Sequence, residues 1–122
     1  SFTCDDAAAI YVNGEEVHRY NLPQGELKAT TQAELPAAGD MERFRMLFLV
    51  DASKLKPGKN VIAARVHQVL PSSSDLEFDL ALTALTSDEE VAETAKKVEQ
   101  SSNDLEKLTE EIQQALRARS QN

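Results

Sequence analysis

Two histidines, one cysteine and a few loop carboxylates are the residues of this chain whose types could do chemistry. His67-Gln68 closes an apolar run, where an imidazole could serve as a base or a metal ligand. The other histidine, His18, belongs to no ligand spacing of the HExxH kind. A histidine ending a strand and hydrogen-bonded into a neighbouring loop is therefore the better reading. Asp5-Asp6 and Ser74-Asp75 put carboxylate and hydroxyl oxygens in bends, the donor set Ca²⁺ takes from loops. An Asp pair before a hairpin also accepts backbone N–H bonds as ordinary turn chemistry, and that reading outweighs a cation site. Cys4 has no flanking base, Ser72 to Ser74 lie outside a GxSxG setting, and no Gly-rich phosphate loop occurs. No catalytic residue, metal ligand set or cofactor is expected, Ca²⁺ being the one cation considered, and the chain is expected not to be an enzyme. Asp5, Asp6, His67, Ser74 and Asp75 stand as the candidate ligand-binding residues.

The elements that must position these residues can be read in order. Ala8, Ile10 and Val12 alternate with Ala9 and Tyr11 in the period of a strand. Asn13-Gly14 supplies the two positive-φ residues of a type I′ turn, and Glu15 to Tyr20 returns as the partner strand. Phe2-Thr3-Cys4 reads as the tail of a strand entering the Asp5-Asp6 bend. Asn21-Leu22-Pro23-Gln24-Gly25 reverses the chain, Leu27 to Thr31 suits a short strand, and Leu35 to Asp40 is a loop. Arg43 to Val50 reads as a strand with Phe44, Met46, Phe48 and Val50 on one face. Asp51 or Ser53 can cap a single helical turn that Pro57-Gly58 ends. Val61 to Val69 and Leu76 to Leu82 are two more strands, separated by a polar loop from Pro71 to Asp75. Short strands with turn signals and no long helix between them imply an antiparallel β-sandwich over residues 1–86.

From Ser87 to Asn122 the composition changes: Gly, Pro and aromatics vanish and charge becomes dense. Ser87-Asp-Glu-Glu90 reads as a capping box opening a helix. Val91, Val98, Leu105 and Ile112 recur every seventh residue, with Leu108 and Ala115 at the matching d positions and Thr94 and Ser101 weakening the seam. Asn103-Asp-Leu-Glu106 is a second capping box, so a break near 101–103 is expected. Residues 87–122 thus form an amphipathic tail, and Val91, Val98, Leu105, Leu108 and Ile112 are its expected partner-docking, coiled-coil-like face.

The totals bound the rest. A chain of 122 residues with 5% aromatics, no Trp and a mean hydropathy of −0.43 must build its core from Leu, Val, Ile and Ala. A net charge of −8, from 13 basic and 21 acidic residues, argues against nucleic acid and anionic membrane surfaces as partners. One cysteine cannot form an internal disulfide. No apolar run approaches the roughly 20 residues that span a bilayer. The chain opens at Ser1 without an initiator Met or a signal peptide, and is read as processed, trimmed or partial.

The ordered series Asp5-Asp6-Ala-Ala-Ala-Ile-Tyr-Val-Asn13-Gly14-Glu-Glu-Val17, Asn21-Leu22-Pro23-Gln24-Gly25, Phe48 to Ala63, Val66-His67-Gln68 and Ser73 to Leu80 resembles a known family. That family is the galactose-binding-like jelly-roll modules attached to bacterial secreted metallophosphoesterases, lamin-tail-containing proteins and other surface proteins. Its hairpin usually reads DDGAxVYLNG, with a glycine where this chain has Ala7. The resemblance covers about residues 4 to 85. It implies a noncatalytic jelly-roll sandwich, often assigned to carbohydrate binding or surface attachment, in an extracytoplasmic setting. Its members carry further strands ahead of the hairpin, so this module is incomplete at its leading edge, and the helical tail is an addition. An incomplete sandwich exposes a sheet edge and an apolar face, which another polypeptide or the folded-back tail must cover.

The leading expectation is a noncatalytic interaction or scaffold module, a subunit of a larger assembly by protein partners or self-association. The alternative is a carbohydrate-binding module whose loops at Asp5-Asp6, Asn21 to Gly25 and Ser72 to Asp75 hold a sugar or Ca²⁺. The lone cysteine leaves an organellar or intracellular complex open beside a secreted one.

Overall fold

The computed structural model of the chain describes residues 1–36, 44–72 and 76–121. Antiparallel β-structure occupies the N-terminal two thirds and one long helix the C-terminal third. In chain order the elements are β1 (Phe2–Asp5), β2 (Ala7–Val12), β3 (Glu15–Tyr20), a 3₁₀ turn (Ala52–Lys54), β4 (Ile62–His67), β5 (Glu77–Leu80) and α1 (Asp88–Ser120). β2 is the centre of a three-stranded sheet ordered β3-β2-β4, and β1 pairs with β5 in a two-stranded sheet.

The chain divides into two compact units, Ser1–Thr3 with Ala38–Leu49 and Leu80–Asn122, and Cys4–Ala37 with Val50–Asp79.

In the second unit the β2–β3 hairpin turns through Asn13 (φ 51°) and Gly14 (φ 84°), the two left-handed residues a type I′ turn needs. The pairing runs Ala8 with Tyr20, Ala9 with Arg19 and Ile10 with His18, then shifts to Tyr11 with Glu16. Val17 is the extra residue of this β-bulge, which bends β3. On the other side β2 pairs with β4 without interruption, from Ala7 opposite His67 to Val12 opposite Ile62.

Every residue of β2 except Tyr11 is buried, so period-2 alternation does not here mean one wet face. Ala7 and Ala9 pack with Leu22, Leu27 and Ala33 of the 21–36 segment, with Tyr11 and Val69 at the margin. Alanines let that segment approach the sheet closely, while Leu22 and Leu27 supply the apolar area, worth about 1.5–3 kcal/mol each. Ala7 does not have a positive φ, so no glycine-only conformation is required of it. Leu27 to Thr31 is not a strand. Thr31 N donates to Lys28 O at 3.0 Å and Thr31 Oγ1 accepts from Lys28 N at 2.8 Å, which closes a turn instead.

The described part of the expected Arg43–Val50 strand is not a strand either. Only Met46 pairs, exchanging both backbone bonds with Phe2 at 2.9 and 2.7 Å. Alternating side chains do not make a ladder unless a neighbour continues alongside. The apolar pattern serves local packing: Met46 is buried, and the Phe48 ring meets the Phe2 ring edge-on at 5.8 Å. Asp51 caps the 3₁₀ turn, its carboxylate accepting from Ser53 N at 2.8 Å.

α1 opens at Ser87, whose hydroxyl accepts from Glu90 N at 3.1 Å, while the Glu90 carboxylate accepts from Thr86 N at 2.8 Å. Glu90 thus reaches back one residue beyond the N-cap N–H that a strict capping box engages. The helix then runs unbroken through Ser101, Ser102 and Asn103, against the expected interruption. Poor helix formers cost about 0.7 kcal/mol or less each. Ending the helix there would strand its terminal N–H and C=O groups, which costs more. Among the described residues no helix is long and apolar enough to cross a membrane.

Candidate functional site

Cys4, Asp5, Asp6 and His67 are all buried in the second unit, His67 at 7% and Asp6 at 4% exposure. The register that sets Ala7 opposite His67 brings the end of β4 beside the Asp5-Asp6 bend. Asp6 Oδ2 accepts from Val69 N at 2.9 Å, so this carboxylate anchors the segment that leaves β4. The Asp6 carbonyl accepts from Asn21 Nδ2 at 3.1 Å. His67 Nδ1 lies 2.7 Å from Thr31 O; a carbonyl only accepts, so Nδ1 carries the hydrogen. His67 Nε2 is buried with no hydrogen-bond partner among the described residues. The histidine thus closes its strand against a neighbouring turn and offers solvent nothing.

Burial pushes the Cys4 thiol up to about 12, and the charges of Asp5 and Asp6 push the same way. Such a thiol is no nucleophile near neutral pH. Burial likewise raises the Tyr20 phenol, with Cys4 and Asp6 adding to it. Burial lowers His18, which favours its uncharged form.

The sequence candidates therefore divide. Asp5, Asp6 and His67 are all buried, and Asp6 and His67 bond to the chain itself. Ser74 and Asp75 lie outside the described residues. Among the described residues no group of three or more His, Cys, Asp or Glu side chains could hold a metal ion.

Three asparagines that the sequence marks only as turn residues organise the loops. Asn13 Nδ2 donates to Lys54 O at 3.0 Å and to Asn60 Oδ1 at 2.9 Å, while its Oδ1 accepts from Val61 N at 2.9 Å. Asn60 in turn holds Lys56 and Gly58 through its own amide. Asn21, left-handed at φ 56°, binds Leu35 through both ends of its amide at 2.6 and 2.9 Å. Lys54 Nζ pairs with Glu15 at 2.6 Å. Arg19 joins Glu16 at 2.9 Å and donates to the carbonyls of Pro23 and Gly25, fixing the 21–25 loop. An Asn-Gly pair is legible as a turn; what the asparagine amide reaches is not.

α1 has a different surface. Not one of its residues is buried. Thr94, Val98, Ser101, Leu105, Leu108 and Ile112 are half-buried, whereas Val91 and Leu116 are 44% and 37% exposed. The expected docking residues Val91, Val98, Leu105, Leu108 and Ile112 thus fall on a single continuous helix, spaced as the heptad requires.

Comparison of the chain with family models, with characterised proteins and with solved structures gave no match.

Proposed function

We propose that this chain is a noncatalytic interaction module, in which a small β-structured body presents a long helix that docks on a protein partner through Val91, Val98, Leu105, Leu108 and Ile112. The observation that carries it is a capped helix of 33 residues with a heptad apolar stripe and no buried residue. A helix with that surface gains most of its stability when its apolar face meets another. The sequence resemblance adds a finer reading of the body, an incomplete galactose-binding-like jelly-roll sandwich acting as a scaffold in a larger assembly. A sugar-binding role has less support, because Asp6 and Asn21 hold the chain itself and His67 is buried with its Nδ1 bonded to Thr31.

The test is the double substitution Leu105→Ala, Leu108→Ala in the full chain, read by urea denaturation and by association. Surface changes of this kind cost about 0.5 kcal/mol or less, and leucine and alanine are both good helix formers. Unchanged stability in dilute solution with lost association is the expected result. A loss of about 2 kcal/mol or more per leucine would make the stripe part of the chain's own core and end the proposal.

A further inference from the structure

The two ends of α1 carry opposite charge. Asp88, Glu89 and Glu90 occupy its first turn and Arg117 and Arg119 its last. This arrangement suits the helix macrodipole, so it does not by itself name a partner. The stripe is graded as well. Its N-terminal half presents Val91, Thr94, Val98 and Ser101, and its C-terminal half Leu105, Leu108, Ile112 and Ala115. Both gradients run the same way along one helix.

Resting on the docking reading above, we infer that the partner of α1 is the α1 of a second copy of this chain, packed antiparallel. With a positions facing d positions, one register sets Val91 against Ala115, Val98 against Leu108, Leu105 against Ser101 and Ile112 against Thr94, each layer made twice by the two-fold axis. Every layer then pairs a larger residue with a smaller one, which fills the seam evenly. The same register brings Lys97 beside Glu111 at both ends, while Glu89 and Arg117 lie level with each other on the outward sides. Asp104 faces its own copy near the axis, a repulsion that its bond from Gln100 Nε2, at 2.9 Å, spreads. A parallel pair fares worse. It stacks Asp88-Glu89-Glu90 on itself and Arg119 on Arg119, and its flanking positions offer no charge pair.

The test uses the full chain with a spin label on Glu89→Cys or on Arg117→Cys, both on the outward side of the helix. Cys4, buried with its thiol raised to about 12, is left unlabelled in the native protein. Light scattering over a dilution series reads association, and pulsed electron resonance reads distance. Glu89 and Arg117 are 28 positions apart, about 42 Å of helix at 1.5 Å per residue. Antiparallel pairing predicts a reversible dimer with label separations of about 45 Å within either singly labelled dimer, and about 20 Å, two helix diameters, in the mixed dimer. Lys97→Glu should weaken the dimer about tenfold by turning its attraction to Glu111 into repulsion at both ends, and adding Glu111→Lys should restore it. A separation of about 20 Å between two Glu89→Cys labels, or a dimer indifferent to charge reversal, overturns the antiparallel pair. A monomer at every concentration overturns self-association, and the docking reading is then judged separately by the leucine substitutions.

Discussion

Asn13 and Val61 exchange two hydrogen bonds: Asn13 N donates to Val61 O at 2.8 Å, and Asn13 Oδ1 accepts from Val61 N at 2.9 Å. One residue therefore supplies the left-handed turn of the β2–β3 hairpin and starts the β2–β4 pairing on the opposite side. Asn13→Ala puts a Cβ-bearing residue without a compensating amide into the left-handed region and removes three side-chain bonds. We expect a loss of about 2–4 kcal/mol in urea denaturation. Asn13→Gly relieves the backbone and should recover about 1 kcal/mol of that loss. Equal stability of the alanine and native chains would show that the amide bonds contribute nothing.

Asp6→Ala should leave the Val69 N–H, now bonded to Asp6 Oδ2, without its acceptor. The cost of such an orphaned, partly buried donor is about 1–2 kcal/mol, and Asp6→Asn, which keeps an acceptor there, should lose less. If instead Asp6 serves a ligand, both variants would keep native stability and differ only in binding.

The alkaline limb of the stability curve follows from Cys4 and Tyr20. Both groups are harder to ionise folded than unfolded, Cys4 moving from 9.0 to about 12 and Tyr20 moving upward from 10.0. The unfolded chain therefore releases these protons first, and the slope of stability with pH is negative once it does so. Stability should hold up to about pH 9 and then fall as pH rises towards 12. Cys4→Ala should delay the onset to about pH 10, where the Tyr20 phenol begins to act. Native Cys4 should also resist alkylation at pH 8 and react once the chain is unfolded. A denaturation midpoint constant from pH 7 to 11 would contradict this picture of Cys4 and Tyr20.

Much of this architecture is legible in the sequence wherever a local rule governs. Asn13-Gly14 marks the hairpin because few other pairs tolerate two positive φ values, and Ser87 with Glu90 marks the start of α1 because helix N–H groups need those acceptors. The Asp51 cap reads for the same reason. What depends on a distant neighbour does not read. Phe44 to Val50 alternates like a strand, yet its backbone pairs with Phe2 at only one residue, Met46. Ser101 to Asn103 looks like a helix break, but the hydrogen-bond ladder continues through it. Of the candidate site, Asp5, Asp6 and His67 could be picked out by residue type. The bonds of Asp6 and His67 could not, because they are set by Val69 and Thr31 across the fold.

The central claim is that α1 is held by a partner and not by the chain's own core, and amide hydrogen exchange along the full chain tests it most directly. In dilute solution the account predicts weak protection throughout Asp88–Ser120 and strong protection in Ala7–Val12, the centre of its sheet. Protection of α1 should rise with concentration or on adding the docking partner, while that of β2 stays constant. Protection of α1 equal to that of β2 in the dilute monomer would contradict the account, because the helix would then already be fixed by its own chain.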